Sequence, residues 1–415
     1  ASGGAQATSS ASGGASTKTS RAAGGEEDSQ STTEDSGGAD SGGSDSGGAE
    51  SGGTKSGSSA TSKGGTSATT SAKTGTGGTP RSAGGSSQSS DAVGGSTPST
   101  LKGTGATPVE RHGQLKVSGS KLLDEAGNPV QLKGPSSMWL NWESQKYAED
   151  KQGLQFLRDN WNASVVRAAM GVETTDTKDS DYLSAPDVAK AQVNQIVQNA
   201  IDLGMYVIID WHDGKADTRV DTAKAFFKEM ATKWGAYPNV LYETFNEPTT
   251  QAWETVLKPY HEAVIAAIRE VDPDNIIIRG TRNWSQYVDE AAQWPVKTST
   301  NLMYTLHFYS CTHDSKIRTL GATALKKNLP LFVTEWGATH ADGGTTKNPN
   351  LCLEEAQLWH DWMNENSISW AAWKWDRCVD TTCYFTPSKA VPTTGPWTDD
   401  MLYGHAAFVR DRMRE

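Results

Sequence analysis

The feature that most constrains the fold is a rhythm. From residue 130 to the C-terminus, short apolar runs alternate with segments of helical period, and the alternation does not break. Runs at 130–134, 164–170, 205–211, 240–245, 275–279, 302–308, 331–335 and 368–375 are nearly continuous in apolar residues, as strands buried on both faces must be. Between the second and third, 187–203 carries Val188, Val193, Ile196, Val197, Ala200 and Ile201 at helical spacing before the stop signal Gly204. Further helices are expected over 222–234, 253–270, 315–327, 353–364 and 401–413. Repeats of this kind predict a parallel sheet, and eight strands in this rhythm close an α/β fold of the (β/α)8 TIM-barrel type. An open doubly wound sheet is the alternative. No Gly-rich phosphate loop follows an early strand, which removes the usual support for a nucleotide site. Ahead of the barrel, 114–117 and 121–124, joined through Ser118-Gly119-Ser120, predict an N-terminal hairpin that plugs the barrel bottom.

Residues 1–107 are almost wholly Gly, Ser, Thr and Ala with scattered charges, and so little apolar surface cannot offset the entropy of ordering the chain. They are expected to be a disordered low-complexity linker, with residues 108–415 as one catalytic barrel. A tether normally joins two things, so a carbohydrate-binding module or anchor is expected upstream of residue 1. The net charge of −11 argues against nucleic acid, whose phosphates need a basic face. No apolar stretch reaches membrane-spanning length, and the chain opens on Ala-Ser-Gly-Gly without a signal peptide, as a mature or truncated form would. The four cysteines Cys311, Cys352, Cys378 and Cys383 show no metal spacing. Their even number fits a secreted, extracellular protein with two disulfides. Three connectivities are open, of which Cys311–Cys352 with Cys378–Cys383 is favoured over four free buried thiols.

A barrel brings the carboxyl ends of its strands to one face. Those positions hold Ser136, Ser137, Arg167, His212, Asp213, Asn246, Glu247, Trp284, His307, Tyr309, Glu335, Trp336 and Trp373. Cleaving a glycosidic bond needs one carboxylate ionised near the anomeric carbon and another protonated towards the leaving oxygen. Arg167 beside Glu335 would hold it anionic as the nucleophile, leaving Glu247, without such a partner, as acid/base. Asn246 is placed for a sugar 2-hydroxyl, Tyr309 to orient Glu335, His212 and His307 for ring hydroxyls, and Trp284 and Trp373 as substrate-binding aromatic faces. Each residue alone has a plainer reading: Arg167 in a structural ion pair, each His as a hydrogen-bonded wall, and Trp234 and Trp362 among others as packing. It is their conjunction that points to a site.

The motifs VVRAAMGVE (165–173), VIIDWHDG (207–214), YETFNEP (242–248), YTLHFY (304–309), LFVTEWG (331–337) and SWAAWKW (369–375) resemble bacterial endoglucanases of glycoside hydrolase family 5. The resemblance implies a retaining cellulase on a (β/α)8 barrel, acting on β-1,4-glucans without cofactor or metal. It places the acid/base on Glu247, the nucleophile on Glu335, and supporting roles on Arg167, His212, Asn246, His307, Tyr309 and Trp373. The chain departs from many relatives at Ser137-Met138, where they carry a His, at Gly171, where they carry a Tyr, and in the eighth-strand loop, which several close with a Lys and where this chain has Lys374-Trp375-Asp376-Arg377-Cys378 with the proposed Cys378–Cys383 staple. These positions bear on substrate preference more than on reaction type. The expectation is therefore an endo-acting, monomeric β-1,4-glucanase, with β-mannanase or xyloglucanase activity as the nearest competitor. A metal-dependent barrel hydrolase lacks its His-x-His, and a non-catalytic carbohydrate-binding protein would have no need of both Glu247 and Glu335.

Overall fold

A computed structural model describes residues 106–173 and 180–415, so all but the last two residues of the expected linker lie outside the described residues. The described chain starts with a reciprocal cap. The Thr107 hydroxyl accepts from the Glu110 N–H and the Glu110 carboxylate accepts from the Thr107 N–H, which starts helix α1 (Pro108–His112). Strands β1 (Lys116–Ser118) and β2 (Lys121–Leu123) form the expected antiparallel hairpin.

Eight parallel strands then close a barrel: β3 (Lys133–Ser137), β4 (Val165–Gly171), β5 (Tyr206–His212), β6 (Val240–Glu243), β7 (Ile276–Arg279), β8 (Leu302–Tyr309), β9 (Leu331–Gly337) and β10 (Ser369–Trp375), with β10 pairing back onto β3. Around them run α2 (Lys151–Trp161), α3 (Pro186–Leu203), α4 (Val220–Trp234), α5 (Lys258–Arg269), α6 (Arg282–Ser285), α7 (Val288–Ala291), α8 (Ser315–Lys326), α9 (Leu353–Asn366) and α10 (Ala406–Arg414). The TIM-barrel reading holds, and the doubly wound sheet is excluded by the closure.

Several boundaries differ from expectation. The first barrel strand begins at Lys133 rather than 130, because Val130 and Leu132 join Leu115 and Leu122 of the hairpin region in the floor of the barrel. Here the chain also presses close to β4: a Cβ at Gly134 would lie 1.7 Å from the Val165 carbonyl oxygen, so only glycine fits. Helix α2 was not anticipated. Asp150 caps it through the Gln152 and Gly153 N–H groups, Asn162 ends it in the left-handed region at φ 64°, and Leu154, Leu157 and Trp161 bury its inner face. The helix expected over 253–270 opens with a π turn at Trp253–Leu257, and the one expected over 401–413 is a 3-10 turn at Asp399–Met401 followed by α10.

Inside the barrel the floor is apolar, built from Leu132, Val165, Tyr206, Ile208, Leu241, Ile276, Ile278, Met303 and Phe332. Burying such side chains is worth about 1.5–3 kcal/mol each, which sets the barrel's lower half as its stable base. The tier above is polar, with Ser136, Arg167, Asp210, Glu243, Thr305 and Thr334 all fully buried. Outside the strands, Trp161, Trp211, Trp253, Trp336, Trp359, Trp370 and Trp375 fill the layer beneath the helices, so much of the tryptophan content is packing. Cys311 is bonded to Cys352 and Cys378 to Cys383, the favoured connectivity.

Candidate active site

Arg167 stands at the centre of the polar tier. Register places it beside Ser136 on β3, while Ala169, two residues on, faces Asp210 on β5, which in turn faces Glu243 on β6. Its Nε donates to Glu243 Oε2 at 2.7 Å, Nη1 to Ser136 Oγ at 3.3 Å and Glu335 Oε2 at 3.2 Å, and Nη2 to Asn246 Oδ1 at 2.6 Å, while Nη2 also pairs with the Asp210 charge 2.9 Å away. A planar fork of five donors satisfies this set where an ammonium would not. Burial pushes the Glu243 carboxyl up, but the Arg167 charge, the nearby His307 imidazolium and the Thr334 hydrogen bond outweigh it and bring it down to about 2. Asp210 goes the other way: burial lifts it to about 6 against the pull of Arg167.

Glu335, at the end of β9, is buried and held by both oxygens. Tyr309 O–H donates to Oε1 at 2.7 Å and Arg167 to Oε2. Burial would raise its carboxyl; the charges of His307 and Arg167 and the Tyr309 hydroxyl overcome this, and the net direction is down. The neighbouring Thr334 also turns to the interior, donating to Glu243 Oε1 at 2.6 Å. Successive residues of a regular strand cannot share a face, and the β8–β9 ladder shifts register between Thr305 and His307, where His307 comes opposite Glu335.

Glu247 lies beyond β6 with its side chain 25% exposed. It does have a cationic partner, contrary to the sequence expectation. His307 Nδ1 donates to Glu247 Oε1 at 2.8 Å, and Nε2 donates to Thr334 Oγ1 at 2.9 Å. Burial lowers the imidazolium, but the Glu243 carboxylate 3.8 Å from Nε2, the bond to Glu247 and the Glu335 charge win and lift it to about 9. His212 is likewise engaged within the protein: Nδ1 donates to Asp210 Oδ2 at 2.8 Å, which leaves Nε2 to accept from Asn246 Nδ2 at 3.2 Å. The ring nitrogens of both histidines thus face protein groups where sugar hydroxyls were expected. Asn246 is fixed from two sides, by Arg167 and by His212. Trp373 is stacked on His212 with centroids 5.4 Å apart, and Trp284, 43% exposed, stands on the rim, its backbone N–H donating to the Pro248 carbonyl.

Two strand-end residues from the sequence lie elsewhere. Asp213 pairs with Arg219 at 2.8 Å, and Trp336 packs outward against Phe308 and His360. Sequence reasoning missed Glu243, Thr334, Trp139 and Trp142. Glu243 sits inside the largely apolar run 240–245, which does not tell which side chains face inward, and the two indoles sit in a loop without periodicity.

Among the described residues, Glu247, His307 and Glu335 bring one ligand-type atom each within 4.8 Å of one another. The imidazole is protonated and donates to Glu247, and the oxygens of Glu335 are taken by Tyr309 and Arg167. This donor set suits a hydrogen-bonded carboxylate pair better than a metal ion. A parallel barrel that presents such a pair at its strand ends, one carboxylate clamped and the other open to the cleft, defines a glycoside hydrolase.

Comparison with known proteins narrows the class. The family model described as cellulase (glycosyl hydrolase family 5) matches residues 123–378. The chain is 44% identical over 302 residues to an endoglucanase of Clostridium saccharobutylicum, covering 72% of this chain and 64% of that protein. It is 42% identical over 286 residues to endoglucanase Z of Dickeya dadantii, covering 68% and 64%. A solved structure from Cytophaga hutchinsonii superposes with a TM-score of 0.70 at 41% identity, over 74% of this chain and 97% of that one. The catalytic domain of a Thermobifida fusca endoglucanase gives 0.68 at 33%, over 75% and 100%. The chain belongs to glycosyl hydrolase family 5. It spans only 64% of the length of each of the two curated relatives named.

Proposed function

We propose that the protein is an endo-β-1,4-glucanase that hydrolyses cellulose or related β-1,4-glucans by double displacement with retention. The observation that carries this reading is the carboxylate pair: oxygens of Glu247 and Glu335 come within 4.8 Å. Retaining enzymes hold the two groups about 5–5.5 Å apart, whereas inverting enzymes leave about 6.5–9.5 Å for a water. Glu335, kept anionic by Arg167, His307 and Tyr309, attacks the anomeric carbon. Glu247 protonates the departing oxygen; His307 occupies its Oε1, which leaves Oε2 for that proton. In the second step Glu247 takes a proton from water as the water displaces Glu335. Asn246, locked by Arg167 and His212, meets the 2-hydroxyl, Trp373 lies under the reacting pyranose, and Trp284 takes a unit on the leaving-group side.

The Thermobifida fusca catalytic domain has been captured in complex with cellotetraose, which supports a glucan of several units as the substrate class here. No described helix is long and apolar enough to cross a membrane. With two disulfides, we place the enzyme outside the cell, acting as a monomer and without a cofactor. Glu335→Ala should abolish hydrolysis and recover activity with azide to give a product of inverted configuration; absence of that product counts against a covalent intermediate at Glu335. Reducing-sugar release on carboxymethylcellulose, glucomannan and xyloglucan ranks the substrates.

A further inference from the structure

The loop that follows β3 carries two indoles that lie face to face, Trp139 and Trp142, with centroids 4.7 Å apart and planes within 12°. Trp139 also meets His212 edge-on at 4.6 Å and packs with Met138, Ala169, Tyr309 and Trp373 in a small apolar cluster at the barrel mouth. His212 in turn stacks on Trp373. An unbroken row of rings therefore leads from Trp373 through His212 and Trp139 outward to Trp142, which is 40% exposed. The row departs from the Trp373 side, whereas Trp284 follows Glu247 on the far side. If the glycosyl unit bonded to Glu335 lies on Trp373, the row runs under the units on the non-reducing side of the cleaved bond.

Trp139 has a fitted seat. A Cβ at Gly171 would lie 3.0 Å from Trp139 Cε3 and 2.1 Å from Asn141 Oδ1. Gly171 has no left-handed backbone, so its small size answers this close approach alone. The loop is anchored over the seat by the Leu140 N–H, which donates to the Ala169 carbonyl at 3.0 Å, and by Gln192 Nε2, which donates to the Leu140 carbonyl at 3.0 Å. Stacked indoles offer a flat C–H-complementary face whose polar atoms lie at the ring edge, so they hold a pyranose by its face and not by its hydroxyls.

We propose that Trp139, seated on Gly171, is a positioning and specificity-determining residue. It fixes the plane of Trp142 and extends the stacking row, so that glucosyl units on the non-reducing side are bound by face contact. This rests on the glucanase reading above.

The test is a ladder of nitrophenyl β-glycosides of cellobiose, cellotriose and cellotetraose. The wild type should gain kcat/KM as the glycone lengthens. Trp139→Ala should cut that gain about tenfold, the scale of one lost aromatic contact, chiefly through KM. Trp139→Phe, which keeps a ring on the seat, should retain most of it, and Gly171→Ala, which displaces Asn141 and crowds Trp139, should lose part of it. An undiminished gain, or an equal loss at every length, overturns the proposal. Where the alanine variant does not fold, the Phe variant and Gly171→Ala decide. A wild type that cleaves none of the three overturns the glucanase reading, and this inference with it; cleavage with an intact ladder in Trp139→Ala overturns this inference alone.

Discussion

His307 offers a sharp test of the electrostatics, because it is a buried imidazolium whose charge is held by carboxylates on three sides. Its pKa rises from 6.5 to about 9. A group that binds its proton more tightly folded than unfolded stabilises the fold fully below its unfolded pKa, and that contribution is lost as pH climbs through the folded value. At about 1.36 kcal/mol per pH unit, the climb is worth about 3 kcal/mol. Replacing His307 by Gln removes the titrating proton while keeping a donor near Glu247. Urea unfolding followed by tryptophan fluorescence, repeated from pH 6 to pH 10, should show the wild type losing about 3 kcal/mol more than His307→Gln between pH 6.5 and 10. Parallel stability curves for the two proteins would mean that His307 is neutral in the folded state, and the picture of a cation bridging Glu247 and Glu243 would be refuted.

Arg167→Met strands Asp210, Glu243 and Glu335 without their shared cation, which should cost about 3–5 kcal/mol in denaturant unfolding. It should also raise the Glu335 carboxyl, so the acid limb of the kcat/KM profile on carboxymethylcellulose moves to higher pH; an unmoved limb would count against Arg167 as the group that holds Glu335 ionised. The disulfides should differ in worth. Cys311 and Cys352 are 41 residues apart and Cys378 and Cys383 only 5, so paired alanine substitutions should cost about 4 and about 2 kcal/mol respectively by loop entropy, read as melting temperatures.

The barrel was legible because parallel strands buried on both faces cannot hide their apolar runs, and their spacing by helices leaves few topologies. The strand-end residues were legible for the same reason: wherever a run stops, the mouth of the barrel begins. What escaped were features that periodicity does not encode. The run 240–245 gives no sign of which side chains face inward, so Glu243 passed as part of a strand when it is a partner of Arg167. Val130 and Leu132 look like strand but serve as floor, and the real first strand, Lys133–Ser137, is too polar to stand out. The pairing of His307 with Glu247 depends on the third dimension alone. Helix α2 did have a signal, Asp150 followed by Leu154, Leu157 and Trp161, which went unread.

Both disulfides lie behind the strands that hold His307, Tyr309, Glu335 and Trp373: one ties the loop after β8 to the start of α9, and the other closes the loop after β10. The adjoining stretch of rim, the loop after β3 with Trp139 and Trp142, carries no disulfide and is held by stacking and by hydrogen bonds such as Ser144 Oγ to Asp376 Oδ1 at 2.6 Å. The mouth thus has a riveted side and, directly beside it, an upholstered one. Substitutions that retune which polymer is gripped can accumulate on the second side while the first keeps the nucleophile aligned, so the enzyme can change its diet without relearning its chemistry.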